Sequence, residues 1–215
     1  MASESEISEV AWAGATVSRT GVITRLFDSL CALGALIFFA PLFGMIAVAI
    51  KLDDGGAVFF AQNRVGKNFR QFRLYKFRSM PEGTACEKAL TAPQDRRITR
   101  IGRLLRKYKL DELPQLFNVL RGDMRLVGPR PEVERYVQMF RSQYAVILQN
   151  RPGITDPASL AFRHEDRILS GERLEQQYVD EVLPAKLALA REYQQRRTFL
   201  SDLAILFQTV TRLVE

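Results

Sequence analysis

The chain has 215 residues, with 31 lysines and arginines against 24 aspartates and glutamates, a formal net charge of +7 and a sequence pI of about 9.7. That length suits one domain with a real core and is short for a multi-span membrane module beside it. The charge calls for anionic partners, among which nucleic acid, acidic lipid headgroups and nucleotide diphosphates all qualify. Cys31 and Cys86 stand in neither metal nor redox spacing, so no disulfide framework is implied, and a single histidine, His164, argues against zinc.

Residues 1–22 are polar and small, with Glu4, Glu6 and Glu9 and no signal-peptide pattern, and read as a loosely ordered tail. Residues 23–51 form a membrane segment. From Leu30 to Ile50 no residue is charged, and in a helix such a run reaches about 30 Å, enough to cross the hydrocarbon core. Pro41, near the middle, removes a backbone hydrogen bond, so the helix either kinks or turns back. Arg25 and Lys51 place positive charge at both ends, which suits a re-entrant hairpin, and a straight span stays open on the residues alone.

Residues 52–215 make the body of the protein. Val58–Ala61 and Phe69–Phe77 are extended, aromatic-rich runs around the turn signal Gly66-Lys67-Asn68, which predicts a short β-hairpin. Lys76 and Arg78 share one face of the second run, either as anion contacts or as a solvated strand face. Glu82–Arg96 reads as a polar loop. Arg97–Tyr108 predicts an amphipathic helix with Ile98, Ile101, Leu105 and Tyr108 on one stripe, facing a membrane interface or the core.

Lys109–Met124 carries the chemistry. Asp111 or Glu112 caps a short helix, with Pro114 in its first turn and Gly122 just past its end. There the positive end of the helix dipole keeps carboxylates ionised, and free N–H groups favour phosphate. An ionised Asp111 beside such a pole is a candidate nucleophile, and the plainer reading is an N-cap followed by a first-turn acid. In Arg125–Glu132, Pro129 and Pro131 fix the backbone around Arg130 and limit where its guanidinium points, which suits a diphosphate or simply makes a rigid loop. Phe199, Leu203, Leu206, Val210 and Leu213 recur at helical spacing and predict a C-terminal amphipathic helix that packs on the body or on a bilayer.

Together the Asp111-Glu112 helix and the Pro129-Arg130-Pro131 loop closely resemble the signature of the bacterial sugar transferases, the monotopic phosphoglycosyl transferases that act on polyprenol phosphate. The resemblance extends through Asp54–Phe60, Gln62–Lys67 and Phe72–Met80 and covers roughly residues 20–160. It implies a mixed α/β, mostly helical fold: a compact catalytic domain associated with the membrane, with a short β-hairpin, amphipathic interfacial helices and a helix-break-helix at Pro41 that dips into one leaflet. The location implied is the bacterial inner membrane, with residues 52–215 on the cytoplasmic face.

The same resemblance implies transfer of a phosphosugar from a UDP-sugar to polyprenol phosphate with release of UMP, as the first membrane step of glycoconjugate or exopolysaccharide synthesis. Asp111 would attack the sugar-bearing phosphate, and Glu112 would assist the acceptor or the metal. Mg²⁺ would sit on Asp111 and Glu112. Arg130, held between Pro129 and Pro131, would take the diphosphate, Arg106 the acceptor phosphate, and Lys76 and Arg78 would make further diphosphate contacts. The implied partners are a UDP-sugar, polyprenol phosphate and a phospholipid membrane; a homo-oligomer is left open. Two departures are visible. Ala40 stands where a Ser often precedes the break proline, and after Pro152-Gly153-Ile154-Thr155 the chain continues Asp156-Pro157-Ala158-Ser159 instead of Gly-Trp-Ala-Gln, which points to a different sugar pocket. A rival reading is a membrane-anchored nucleic-acid-binding protein, since Phe and Tyr are interleaved with basic residues. It gives no reason for the Asp-Glu pair or for Pro-Arg-Pro, and no nucleic acid is expected. A non-catalytic scaffold of a polysaccharide assembly system loses weight because Asp111, Glu112 and Arg130 are all present.

Overall fold

The structure is a computed structural model that describes residues 19–81, 83, 95, 97–163 and 173–214. Residues 1–18 of the expected tail, most of the expected loop with Cys86, and His164 lie outside the described residues. Residues 19–22, read as tail from the sequence, belong to the first helix.

That helix, α1 (Arg19–Phe38), is followed after one residue by α2 (Ala40–Asp54). The break falls at Phe39, with φ −87° and ψ 3°, and Pro41 sits in the first turn of α2, where its missing N–H costs nothing. Each helix buries one narrow face, Ala32 on α1 and Ile46 and Ile50 on α2, while Leu26, Leu30, Ile37, Phe38, Met45 and Leu52 remain exposed.

Strands β1 (Phe59–Val65) and β2 (Gln71–Phe77) pair antiparallel, from Phe59 opposite Phe77 to Val65 opposite Gln71. The first strand is longer than its apolar run predicted, because in a two-stranded ribbon the polar Gln62, Asn63 and Arg64 can occupy positions that need little burial. Helix α3 (Arg100–Lys107) begins later than predicted, at the Thr99 cap, whose hydroxyl accepts from Gly102 N–H at 2.9 Å. Its Ile101 and Leu105 pack against α2 and Phe77, while Tyr108, expected on the same stripe, has left the helix and is exposed. Gly102 has a packing reason: a Cβ there would lie 2.3 Å from the Ser79 carbonyl oxygen, so only glycine lets α3 lie against the exit of β2.

Lys109, at φ 55°, turns the chain into a single 3₁₀ turn over Leu110–Glu112, and α4 (Gln115–Arg121) follows, closed by Gly122 at φ 90°. Asp111 and Glu112 cap nothing. Pro114 takes the position before α4 and no side chain caps that helix, which corrects the expectation from sequence. Helix α4 lies between α1 and β2. Its Asn118 is fully buried, with Oδ1 accepting from Tyr75 N–H at 3.0 Å and Nδ2 donating to the Arg73 carbonyl at 2.7 Å.

A second, unpredicted ribbon pairs β3 (Arg125–Val127) with β4 (Gly153–Thr155) in parallel. Between them run α5 (Glu134–Met139) and α6 (Arg141–Ile147); after them come α7 (Pro157–Ala161), α8 (Leu174–Gln177), a wide turn at Tyr178–Val182, α9 (Leu183–Arg196) and α10 (Phe199–Val214). Tyr136, Tyr144, Ile147, Leu183 and Leu187 form one core and Leu116, Val119, Met124, Val127 and Ile205 another beneath α1. The inward face of α10 is Asp202 and Ile205, whereas Val210 of the expected stripe is exposed with Leu200 and Phe207, and the Leu213 side chain lies outside the described residues.

Both ends of the apolar helix pair are tied to this one body by charged groups. Near the start, Arg25 donates to the Val119 carbonyl and, at 2.9 Å, to that of Leu120, and Asp28 accepts from Arg125 at 2.9 Å. At the other end Asp53 accepts from Ile101 N–H at 3.1 Å and Asp54 pairs with Arg78.

Candidate active site

Three elements converge on Asp111 and Glu112: the 3₁₀ turn that carries them, the end of β2 with Lys76, and the loop after β3 with Arg130. Glu112 is clamped. Lys76 Nζ donates to its Oε1 at 3.0 Å, and the Arg130 guanidinium meets both oxygens, Nη1 to Oε2 at 3.1 Å. Burial pushes the Glu112 carboxyl upward, but Arg130 and Lys76 outweigh it and hold the group well below the usual carboxylate range. Pro129 and Pro131 are buried while Arg130 between them is exposed, so the two rings anchor the loop on either side of the guanidinium. The Pro129 carbonyl accepts from Gly153 N–H at 3.0 Å, which fastens this loop to β4.

Asp111 is different. It is 7% exposed and its Oδ1 is buried without a hydrogen-bond partner among the described residues. Burial raises its pKa, Lys76 opposes this, the neighbouring Glu112 adds to it and Arg106 opposes it, with a net shift upward. The expectation that a helix pole keeps Asp111 ionised is therefore corrected: it has no helix pole, and burial dominates. Leaving a buried polar group unpaired costs about 1–3 kcal/mol, and more when it is charged; the unshared lone pairs of Asp111 Oδ1 are available to an electrophile.

Arg106 reaches this cluster from α3, and its Nε donates to Ser79 Oγ at 2.9 Å. Arg78 is buried, its guanidinium pairs with Asp54, and it fills the space that a side chain on Gly56 would need. Lys76 and Arg78 share strand parity, yet α2 captures the second. Three residues of the site were missed. Ser79 orients Arg106, and only the close approach at Gly102 reveals it. Gln115 is 1% exposed with its Nε2 unpartnered, and lay unremarked within the motif. Asp156, buried at the end of β4, caps α7 by accepting from Ser159 N–H at 2.7 Å; burial raises its pKa and Arg130 is among the groups that oppose this. Its signal was the departure after Thr155.

Among the described residues no three His, Cys, Asp or Glu side chains gather as a metal cage. Asp111 Oδ1 and the edge of Glu112 could hold an ion that takes one or two carboxylates and completes its shell with substrate phosphates, the habit of Mg²⁺.

The family described as bacterial sugar transferase matches residues 19–215. The chain is 34% identical over 206 residues to the exopolysaccharide production protein ExoY of Rhizobium meliloti (strain 1021), covering 88% of this chain and 84% of that one. It is 36% identical over 196 residues to the UDP-glucose:undecaprenyl-phosphate glucose-1-phosphate transferase of Caulobacter vibrioides, covering 88% of this chain and 69% of that one. To the UDP-N-acetylgalactosamine-undecaprenyl-phosphate N-acetylgalactosaminephosphotransferase of Aeromonas hydrophila it is 47% identical over 137 residues, 62% of this chain, and it spans about a third, 32%, of that protein's length. The chain belongs to the bacterial sugar transferase family and is an enzyme of the phosphoglycosyl transferase type.

Proposed function

We propose that this enzyme transfers a sugar 1-phosphate from a UDP-sugar to undecaprenyl phosphate in two steps through Asp111, starting the assembly of a glycoconjugate or exopolysaccharide. The observation that carries the proposal is the Asp111 oxygen, buried and unpaired beside Lys76, Arg106 and the clamped Glu112. In the first step a carboxylate oxygen of Asp111 attacks the sugar-bearing phosphorus, the bond from that phosphorus to the bridging oxygen breaks, and UMP leaves with the electron pair. In the second step a phosphate oxygen of the lipid attacks the same phosphorus, the acyl phosphate breaks, and Asp111 is restored.

Arg130 is the group that recognises the diphosphate. Its fork already spans a carboxylate, and a diphosphate also offers paired acceptor oxygens to a bidentate guanidinium. Glu112, kept ionised by Arg130 and Lys76, aims both cations and can assist the incoming lipid phosphate. Arg106, fixed by Ser79, is placed to meet that phosphate. Mg²⁺ held by Asp111 and Glu112 would offset the diphosphate's charge and favour the ionised form of Asp111.

The lipid acceptor requires a site at the membrane. Helix α1 contains the described stretch long and apolar enough to cross a bilayer, Gly21–Phe38. Its Arg25 and Asp28, however, bind the same body that holds Asp53 and Asp54. Ties to one body at both ends favour a charge-free stretch that returns to the side it left, and each arm, ten or so residues, would reach about 15 Å, half the hydrocarbon core. That supports a re-entrant hairpin in the inner membrane, with the body on the cytoplasmic side. The test of the reaction is a burst: enzyme with UDP-sugar and Mg²⁺ but no lipid should release about one UMP per active site, and Asp111→Asn should release none. A requirement for lipid before any UMP appears would mean direct transfer in a ternary complex.

A further inference from the structure

At the far end of α4 from Asp111, the molecule carries a second concentration of positive charge. A cavity of about 410 Å³ opens between the hairpin turn and Gly122, lined among others by Lys67, Arg70, Gln71, Phe72, Asp123 and Arg151. Lys67, Arg70 and Arg151 are exposed and, among the described residues, form no ion pair. The one acid in the lining is engaged elsewhere: Asp123 faces Arg121 at 3.6 Å and Asn118 Nδ2 at 3.4 Å. Arg25, close behind Gly122, is committed to the carbonyls of Val119 and Leu120. Three like charges around one concavity repel each other and focus a field that an anion relieves.

The turn that sets Lys67 and Arg70 at this mouth is held in an uncommon conformation. Asn68 and Phe69 have φ of 54° and 60°, a region that a bulky side chain seldom occupies. Asn68 N–H donates to the Leu148 carbonyl at 2.7 Å and Gly66 N–H to that of Arg70 at 2.8 Å, while the Arg141 guanidinium lies 4.9 Å from the Phe69 ring centre. Gly66 packs closely beneath the turn, since a Cβ there would stand 3.0 Å from the Phe72 ring. Gly66 and Lys67 belong to a motif that the catalytic proposal leaves without a role.

We propose that this cavity binds a phosphate ester separately from the catalytic centre. Arginine forks and a lysine fit phosphate oxygens, and Phe72 offers an apolar edge to the group esterified to it, while the Gln71 amide is committed to Glu134. Arg25 stands just before the charge-free stretch of α1, so an acidic phospholipid headgroup is one source and a soluble phosphate is the other. The site does not depend on Asp111.

The full chain in neutral detergent would be titrated calorimetrically with short-chain phosphatidylglycerol and with inorganic phosphate. Saturable binding of about one equivalent is expected, weakened by salt. It should fall at least tenfold in the triple variant Lys67→Gln, Arg70→Gln, Arg151→Gln and persist in Arg130→Gln, which reports on the catalytic centre instead. Phosphatidylglycerol binding that inorganic phosphate does not displace identifies the lipid as the source; displacement identifies a soluble phosphate. No saturable binding, an unaffected triple variant, or loss in Arg130→Gln would overturn the proposal. Retention of the UMP burst checks that the triple variant is folded, and Arg151→Gln alone replaces it otherwise.

Discussion

Two clusters of charge in this molecule look alike in composition and differ in closure. In one, Arg125 joins Asp28 of α1 at 2.9 Å to Asp202 of α10 at 3.2 Å, and Asp202 also accepts from Arg197 at 2.8 Å and from the Tyr193 hydroxyl at 2.5 Å. Arg197 then donates to the Val127 carbonyl at 2.7 Å, and no buried side-chain oxygen or nitrogen there lacks a partner. In the other, Lys76, Arg106 and Arg130 surround Asp111 and Glu112, and one oxygen of Asp111 has none. The closed cluster holds elements together. The open one keeps a costly unsatisfied group, the buried Asp111 oxygen, beside three cations. The two clusters therefore differ in closure more than in the number of their charges.

The sharpest way to break that comparison is to neutralise one acid in each. Asp111→Asn should lower turnover by more than about 10³ while the melting temperature stays close to that of the parent, because the charge it removes is one that burial already disfavours. Asp202→Asn should instead cost about 3–5 kcal/mol of stability, the penalty for breaking a buried pair. A thermal melt and a UMP assay on both proteins decide it; a stable Asp202 variant, or an active Asp111 variant, would erase the distinction.

Next in size is Arg130→Lys. The charge stays and the fork is lost, so kcat/KM for the UDP-sugar should fall by about 10². Equal kcat/KM in the two proteins would mean that the prolines aim only a point charge.

A smaller effect concerns pH. A carboxyl whose pKa is raised is ionised only at higher pH, so the single-turnover rate of UMP release should decline on acidification from above the ordinary aspartate range. Lys76 opposes that shift, and Lys76→Met should move the acid limb to still higher pH. An acid limb at the ordinary value, or one that moves down, would contradict the burial argument.

Smallest in energy is Pro41→Ala, which restores a donor at the break and should bias the α1–α2 pair toward a straight span. Cysteines placed ahead of α1 and at Asn68, in a background without Cys31 and Cys86, should both resist an impermeant thiol reagent in intact cells of the parent. Labelling ahead of α1 alone would replace the hairpin by a bitopic anchor.

Much of this was legible in the sequence, for identifiable reasons. The absence of charge between Leu30 and Ile50, the glycine and proline punctuation at Pro41 and Gly122, and the alternation of aromatic residues near Phe77 are local signals, and the apolar helices, the break between them, the end of α4 and the hairpin are present. The Pro-Arg-Pro bracket was readable because proline acts on its own backbone. What failed was non-local. Whether Asp111 caps a helix depends on Lys109 adopting a left-handed conformation, and whether it is ionised depends on burial by elements distant in the chain. Arg78 was lost to Asp54 for the same reason, and the three-residue strands β3 and β4 are too short to carry a period.

Asn118 has a consequence for how the two halves of the site stay aligned. A carboxamide presents the same donor and acceptor as a peptide group, so by bonding Tyr75 N–H and the Arg73 carbonyl Asn118 acts as one residue of a third strand laid against the outer edge of β2. An apolar helix face can slide along a sheet by a fraction of a residue with little penalty, whereas a pair of directional bonds cannot. This single contact indexes α4 to β2 like the tooth of a ratchet, and it also blunts an edge that would otherwise invite another chain. Lys76 stands one residue beyond Tyr75 and Glu112 six before Asn118, so the salt bridge between them inherits its register from an amide that takes no part in the chemistry.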